Sequence, residues 1–331
     1  MKILQITNAF PTASMPVYGI FIREQIESLK QIGMDSDIYF INGREKGKKE
    51  YLNAVFRLKK LMNNYDLIHC HHFITAALVL ALKPKPKVIV SFLSDGIKEF
   101  INPDFPLFNK MVKENVYKFI INKSSARIFK KAIPEFLLED AFSFYLPNGV
   151  NTDIFKPVDR IKAKEYLGLN PNKTYLLYTS LIDLNRREKR YDIFKETINL
   201  LKNKYKRQDI EELVMTEVER DKVPFYFNSA ALHLLTSDFE GSPNTVKESL
   251  ACNTPVVSTD VGNVREMLKG LNSCFVSDSN NPEALAELVI KALNSTGKDN
   301  LRQVVLDKEL DMNSVAVKLK DIYMKLYYAQ V

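Results

Sequence analysis

Short apolar segments alternate with amphipathic helical patterns along the chain, and this alternation limits the fold more than any other feature of the sequence. The first series has strand-like segments at 2–7, 37–42, 66–72 and 87–93, with helical patterns at 20–33, 50–65 and 73–83 between them. This β-α-β-α order indicates a parallel sheet that carries helices on both faces.

The alternation stops at a turn-rich segment, LPNGVNTDIFKP (146–157), and then begins again. The second series has strand-like segments at 174–181, 230–237 and 255–260, with helical patterns near 191–204 and at 244–253. Two similar halves predict an α/β protein with two Rossmann-like domains facing each other across a cleft. We place the N-terminal domain at 1–155 and the C-terminal domain at 156–311, which suits a chain of 331 residues.

A last amphipathic helix is predicted over DMNSVAVKLKDIYMKLYYAQV (311–331). Its apolar side carries Val315, Leu319, Ile322, Leu326 and Tyr327. Periodicity leaves two placements open. The helix either closes the second domain or, as residues 312–331, packs back on the first.

Composition and cysteine usage indicate a globular protein of a reducing compartment. The chain is 46% hydrophobic and 26% charged, and its three cysteines (Cys70, Cys252 and Cys274) show no CxxC spacing. The N-terminus leads directly into a strand pattern, and the longest uncharged apolar run, 72–82, is too short to span a bilayer. We expect a cytoplasmic protein, with peripheral attachment to the inner face of the cytoplasmic membrane left open.

A net charge of +7 admits three kinds of partner: nucleic acid, an anionic membrane surface or a phosphorylated small molecule. No helix-turn-helix, RNP-type or zinc-finger pattern is present, so nucleic acid is not expected. Positive charge is concentrated in 44–50 and 109–131. These clusters are either ordinary solvated faces or faces that meet acidic lipid.

The stretch SDFEGSPNTVKESL (237–250) joins a strand pattern to a helix that begins near Asn244. The start of a helix offers free backbone N–H groups and a partial positive charge, which suit a phosphate or diphosphate. Gly241 permits close approach of a ligand to the backbone, and further donors follow on Ser242, Asn244 and Thr245. Glu248 lies one turn inside the helix, where its carboxylate can accept hydrogen bonds from sugar hydroxyls, and Glu240 can face a developing positive centre. The alternative is a capped helix with two solvent-facing glutamates.

Three segments resemble family 4 glycosyltransferases, which are enzymes of the GT-B fold. EGSPNTVKESLACNTPVVSTDVGNVREML (240–268) is similar to the donor site of their C-terminal domain. LPNGVNTDIF (146–155) resembles the segment that enters that domain, and TNAFPTASMPVYGIFIREQIESL (7–29) resembles the first loop and helix of the N-terminal domain. The resemblance covers nearly the whole chain.

The resemblance implies a retaining, hexosyltransferase-type enzyme that needs no metal or other cofactor. It implies a UDP- or GDP-linked sugar as donor, bound by the C-terminal domain, and a glycan or lipid-linked acceptor on the N-terminal domain, in cell-surface polysaccharide synthesis. Glu248 matches the glutamate that binds the ribose, and Glu240 matches the glutamate near the sugar, whose role as nucleophile or orienter is argued over. The remaining matches to donor-binding residues are Gly19, Gly241, Ser242, Pro243, Asn244 and Thr245.

The family also places an arginine and a lysine after the first strand of the second domain, where they stabilise the leaving diphosphate. In TSLIDLNRREKRYDIF (179–194), Lys189 is the match for the lysine. Either Arg186 or Arg187 is the candidate arginine, with a spacing that departs from the family pattern. Thr179 and Ser180 stand where the family has a glycine.

On the acceptor side, VSFLSDGI (90–97) carries Leu93 and Ser94 where family members commonly have His-Gly. Asp95 is a candidate to orient an acceptor hydroxyl, or else a helix cap. HCHH (69–72) does not predict a metal site, because strand alternation places neighbouring side chains on opposite faces. His71 or His72 is instead a candidate for the acceptor side.

Two other functions are compatible with the same residues. One is a nucleotide-sugar epimerase of the same fold, which would release free sugar and nucleotide. The other is a non-catalytic nucleotide-sugar-binding partner subunit, which the replaced histidine near Leu93 favours.

Overall fold

The computed structural model describes residues 1–93, 110–180, 184, 186–295 and 299–329. The chain forms two compact units. The first unit comprises Met1–Asn148 and Asn313–Val331, and the second comprises Gly149–Met312. Asp95, which the sequence nominates for the acceptor side, and Ser94, which stands in the family's His-Gly region, lie outside the described residues.

The first unit contains a parallel sheet in which the described strands follow the order β2-β1-β3-β4-β5-β6. Its strands are β1 (Ile3–Thr7), β2 (Asp37–Phe40), β3 (Leu67–His71), β4 (Lys87–Phe92), β5 (Ala126–Phe129) and β6 (Ser143–Tyr145). β1 lies between β2 and β3, with Ile6 opposite Tyr39 and Cys70. The side chains of β1 and β3 are buried throughout, as expected for strands covered on both faces.

Helices cover both faces of this sheet. They are α1 (Ile20–Gln31), α2 (Gly43–Lys46), α3 (Lys49–Leu61), α4 (Phe73–Ala81), α5 (Lys110–Lys123) and α13 (Met312–Tyr328). On one face, Leu4 and Ile6 of β1 share a core cluster with side chains of α3, α4 and α5. On the other face, Ile3 packs with Leu29 of α1 and Leu319 of α13.

Polar contacts fix α13 to the sheet as well. The hydroxyl of Tyr323 lies 2.7 Å from Nδ1 of His69 and accepts a hydrogen bond of 3.1 Å from Nε2 of Gln5. All three side chains are fully buried. Lys87 Nζ donates to the carbonyl oxygen of Leu326 at 2.9 Å, near the end of the helix.

The second unit contains a parallel sheet with the strand order β11-β10-β9-β7-β8. Its strands are β7 (Thr174–Thr179), β8 (Ile210–Met215), β9 (Leu232–Leu235), β10 (Val256–Thr259) and β11 (Phe275–Ser277). Its helices are α6 (Arg160–Tyr166), α7 (Tyr191–Asn203), α8 (Val223–Ser229), α9 (Asn244–Ala251), α10 (Val264–Leu268), α11 (Pro282–Leu293) and α12 (Leu301–Asp307). One core cluster joins Leu177 to Phe227 and Leu250, and another joins Leu176 to Phe194 and Leu285 on the opposite face. The prediction of two Rossmann-like α/β domains is confirmed.

No helix in the described parts of the chain is both long enough and apolar enough to cross a bilayer.

Candidate active site

The candidate site lies at the carboxyl ends of β7, β9 and β10 in the second unit. Parallel strands end at one edge of a sheet, so the loops that follow them gather there. The loop 236–243 joins β9 to α9, a 3-10 turn at Arg187–Lys189 follows β7, and a turn with Gly262 follows β10.

The start of α9 is a candidate anion-binding position. Its N-cap is Pro243, and no side chain in the described part of the chain caps it. Gly241, Ser242 and Pro243 are buried, whereas Asn244 and Thr245 are partly exposed. The first N–H groups of α9 therefore carry the partial positive charge of an uncapped helix start, where the sequence predicts a diphosphate.

Gly262 supports this loop by direct backbone contact. It has a φ of 57°, in the left-handed region. A Cβ on this residue would lie 2.3 Å from the carbonyl oxygen of Gly241, so no side chain fits there. The turn after β10 thus sets the position of the backbone that the sequence nominates for the diphosphate.

Lys189 and Glu240 form an ion pair through Nζ and Oε1. The two side chains are only 16% and 15% exposed, and the hydroxyl of Ser237 donates to the same carboxylate oxygen at 2.8 Å. Thr236 Oγ1 in turn donates to the carbonyl oxygens of Lys189 at 2.9 Å and Arg190 at 3.0 Å. These contacts connect the loop after β7 to the loop after β9. Lys189 and Glu240, which the sequence predicts for the site, are therefore in contact.

The two candidate arginines differ in their surroundings. Arg186 pairs with Glu188, with 2.6 Å between Nη2 and Oε1, and Arg187 is exposed. Arg190, which the sequence analysis did not consider, places Nη1 3.2 Å from Oδ1 of Asp238 in the loop before α9.

Glu248 is 4% exposed and pairs with Arg220, whose Nη1 lies 2.7 Å from Oε1. The guanidinium of Arg220 also lies over the ring of Phe155, 4.6 Å from its centroid. Glu248 therefore does not face solvent, contrary to the alternative of two solvent-facing glutamates. Sequence reasoning missed Arg220, because no short-range pattern links it to a helix that begins 24 residues later.

Lys247 is a second residue that the sequence analysis missed. Its side chain is fully buried, and Nζ donates to Oγ of Ser242 at 3.2 Å. The buried amino group of Lys247 therefore contacts the loop that precedes α9. Its position before Glu248 in a helical pattern gave no sign that it points inward.

The predicted residues of the first unit occupy different environments. Gly19 has a φ of 71° at the start of α1, and an added Cβ would lie 2.3 Å from the carbonyl carbon of Ala9. His72 is partly exposed, and its Nδ1 accepts a hydrogen bond from the backbone N–H of Ile74. Leu93 is partly exposed at the edge of the described segment.

His71 is 2% exposed, and its Nε2 lies 2.8 Å from Oε1 of Gln5. Burial, together with the charge of Lys130, lowers the pKa of His71 to about 3, so the imidazole is neutral. This placement argues against direct contact between His71 and an acceptor. Of the two histidines, His72 is the better placed candidate.

No group of three or more His, Cys, Asp or Glu side chains within the described ranges is arranged to hold a metal ion. The expectation that the reaction needs no metal stays a prediction.

Comparison with known families accounts for both halves of the chain. Residues 19–125 match the family described as glycosyl transferase 4-like, and residues 206–305 match glycosyl transferases group 1. The chain belongs to the family 4 glycosyltransferases. It is accordingly a glycosyltransferase of the GT-B fold.

Individual relatives are distant in sequence. The protein is 23% identical to TuaC of Bacillus subtilis (strain 168), a protein named for glycosyl transfer in teichuronic acid biosynthesis, over 88% of this chain and 89% of that protein. It is 22% identical to the D-inositol 3-phosphate glycosyltransferase of Paenarthrobacter aurescens (strain TC1), over 70% of this chain and 65% of that enzyme.

Solved structures share the fold over the full length. Sucrose-phosphate synthase from Thermosynechococcus elongatus superposes with a TM-score of 0.78 at 17% identity and covers 100% of both chains. Anabaena HepE, solved in complex with UDP-glucose, gives a TM-score of 0.71 at 14% identity and covers 98% of this chain and 100% of its own. At these identities the likeness establishes the GT-B fold alone.

Proposed function

We propose that this family 4 glycosyltransferase moves a sugar, with retention, from a UDP- or GDP-linked donor to a glycan or lipid-linked acceptor in cell-surface polysaccharide synthesis. The observation that carries the proposal is the Lys189–Glu240 ion pair beside the uncapped start of α9. The HepE complexes with UDP and UDP-glucose support a nucleotide-sugar donor, and the name of TuaC supports a surface polysaccharide.

In the proposed reaction, the bond between the anomeric carbon and the diphosphate oxygen breaks. The acceptor hydroxyl oxygen forms the new bond to that carbon, and its proton passes to an oxygen of the departing diphosphate. Negative charge grows on the leaving diphosphate, and the N–H groups at Asn244 and Thr245, with Lys189, would stabilise it. These groups supply the positive charge that a divalent metal would otherwise provide, so no metal is required.

The carboxylate of Glu240 is held by Lys189 and Ser237. These contacts fix the position of the carboxylate, which would stabilise positive charge on the reacting sugar. Glu240→Gln preserves the shape of the side chain and removes its charge. We expect this variant to bind the donor and to lose transfer by at least 100-fold, in the range found for removal of one electrostatic stabiliser.

Two measurements test the proposal. A thermal-shift screen of UDP, GDP and their sugars should show stabilisation by one nucleotide series, since a ligand that binds only the folded state raises its melting temperature. NMR of the product should then show the anomeric configuration of the donor. An inverted product would contradict retention, and free sugar without an acceptor would indicate an epimerase. Donor binding without transfer or hydrolysis would indicate a binding subunit.

An exposed face of the first unit supports an acceptor at a membrane surface. Leu52 and Phe56 lie one turn apart on α3 and are 66% and 73% exposed. By helical spacing, Lys49 and Lys59 share this face. The exposed cations of α2, α3 and the turn between them are Arg44, Lys46, Lys48, Lys49, Arg57, Lys59 and Lys60. An apolar pair surrounded by cations is complementary to a bilayer with anionic headgroups, each cation contributing about 1 kcal/mol near such a surface.

Vesicle flotation tests this surface. The protein should float with phosphatidylcholine vesicles that contain phosphatidylglycerol, and not with phosphatidylcholine alone. Changing both Leu52 and Phe56 to Gln should abolish flotation. Phe136 and Leu138 provide a matched control, because they are 66% and 63% exposed but lie beside Glu135 and Glu139. Equal flotation of both double variants would contradict the assignment.

A further inference from the structure

Arg220 pairs with Glu248, whose side chain is largely buried. Glu248 is 4% exposed, the side chain of Arg220 is 19% exposed, and their contact is 2.7 Å. Burial of a carboxylate is costly unless a cation or hydrogen-bond donors compensate it. Arg220 therefore does more than a surface ion pair does. It supplies the compensating cation and fixes the direction of the carboxylate.

The guanidinium of Arg220 also stacks on an aromatic ring. The guanidinium lies 4.6 Å from the centroid of Phe155, which is fully buried. A planar guanidinium stacks on an aromatic face more effectively than an ammonium group does. Phe155 thus restricts where Arg220 can present its donors.

The segment that carries Phe155 is anchored to α9, the helix that carries Glu248. Arg302 donates to the carbonyl oxygens of Phe155 at 2.7 Å and Ala251 at 3.1 Å through Nη1, and to that of Thr152 at 2.8 Å through Nη2. Ala251 is the last residue of α9. Phe155, on which Arg220 stacks, and α9, which carries Glu248, are therefore fixed to each other. This gives the Arg220–Glu248 pair a defined geometry.

We propose that Arg220 is a positioning residue for recognition of the donor's ribose, acting through Glu248. The inference rests on the proposed function, in which Glu248 accepts hydrogen bonds from the ribose hydroxyls. A carboxylate held in one direction presents its acceptor oxygen at a fixed position for the ribose hydroxyls, which donate. Without Arg220, the buried carboxylate loses its cation partner and is no longer held in that direction. Selectivity for a ribonucleotide therefore depends on Arg220 through its hold on Glu248.

The experiment compares the dissociation constants of two nucleoside diphosphates that differ only in the hydroxyls. UDP and 2′,3′-dideoxy-UDP, or the corresponding guanosine pair if GDP is the nucleotide that stabilises the protein, are titrated by calorimetry. The wild type should bind the ribonucleotide at least about 10-fold more tightly, since hydrogen bonds to a charged acceptor are the stronger kind. Arg220→Met should reduce this ratio to about that of Glu248→Gln and change dideoxy affinity by less than about threefold. The double variant should lose no more than either single one.

Arg220→Lys keeps the positive charge but lacks the planar guanidinium that stacks on Phe155. It should recover part of the affinity ratio between the ribonucleotide and the dideoxynucleotide. This variant also tests the inference if Arg220→Met does not fold. Arg265→Met, which removes an arginine paired with Asp260 and Asp278 on the surface, should leave the ratio unchanged.

Two results would overturn the inference. The first is equal weakening of both ligands by Arg220→Met and by Arg220→Lys, which would assign Arg220 to the base, the phosphates or the fold. The second is a Glu248→Gln protein that retains the full ratio. By contrast, a wild-type protein that binds no nucleoside diphosphate would refute the proposed function itself, so the two failures are distinguishable.

Discussion

Replacing Gly262 by alanine tests whether the turn after β10 holds the loop before α9 in place. The substitution has two separable costs. Gly262 has a φ of 57°, and an L-residue in this region costs about 1–2 kcal/mol. The new Cβ would also lie 2.3 Å from the carbonyl oxygen of Gly241, and moving that oxygen out to 3.0 Å requires a displacement of 0.7 Å.

The displaced carbonyl belongs to the backbone that we propose contacts the diphosphate. A misplacement on the order of 1 Å in a positioned group can reduce the rate about 100-fold. We therefore expect Gly262→Ala to lower kcat/KM by roughly 10- to 100-fold, and the free energy of unfolding of the second unit by more than the backbone cost alone.

Gly270→Ala is the matched control. Gly270 has a φ of 87°, and nothing lies within 4 Å of the Cβ that alanine would add. It therefore incurs the backbone cost without the collision. Urea denaturation and steady-state transfer assays of both variants separate the backbone cost from the effect of the collision with Gly241. If Gly262→Ala and Gly270→Ala lose the same stability and activity, the contact with Gly241 does not position the loop, and the reasoning is refuted.

Three further predictions follow from individual contacts. Lys189→Met should lower kcat by about 100-fold or more, because Glu240 loses its ion-pair partner; Lys195→Met, at an exposed site, should have little effect in the same transfer assay. Tyr323→Phe should destabilise the first unit by about 1–3 kcal/mol in urea, since His69 and Gln5 lose a buried partner, whereas Tyr327→Phe, at a position that is 42% exposed, should not. Burial lowers the pKa of His71 and of His233 to about 3, with Lys130 and Lys189 adding to it respectively. The unfolded chain, where histidine titrates near 6.5, therefore binds more protons than the native state below that pH. The free energy of unfolding should fall as the pH drops from about 6.5 towards 3, by up to about 1.4 kcal/mol per pH unit for each histidine, and a flat profile of urea midpoints over this range would contradict the assignment.

The sequence predicts the fold well where a strand is buried on both faces. β1, β3, β4 and β7 are largely buried, and all four were anticipated, although β1 and β3 carry the buried polar residues Gln5, His69 and His71 among their apolar ones. β5 was missed because ARIF lies within a basic stretch that favours a helix, and β8 because IEELVM places Glu211 and Glu212 in an edge strand that is only partly covered. Edge strands lack the two-sided burial that makes a parallel strand recognisable.

In the candidate site, the sequence predicted which residues of a single motif lie close together. It could not predict contacts with residues from other parts of the chain. Glu240, Gly241 and Glu248 belong to one junction, so their neighbourhood follows from local spacing. Arg220 lies in the loop between β8 and α8, and it reaches Glu248 because α8 packs against α9 in the folded domain. Such a contact depends on strand order, which no local pattern encodes.

The hydroxyl residues at the strand ends explain how this junction is kept rigid. Thr236 and Ser237 follow β9, and Thr259 ends β10. Thr259 Oγ1 donates to the carbonyl oxygen of Ser237 at 2.6 Å, Ser237 Oγ donates to Glu240, and Thr236 Oγ1 donates to the carbonyl oxygen of Lys189. Each short side chain thus satisfies a buried polar group of a neighbouring loop, where an apolar residue would leave it unpaired. Groups that are already fixed need not reorganise as charge develops, and the loops after three separate strands act as one preorganised surface.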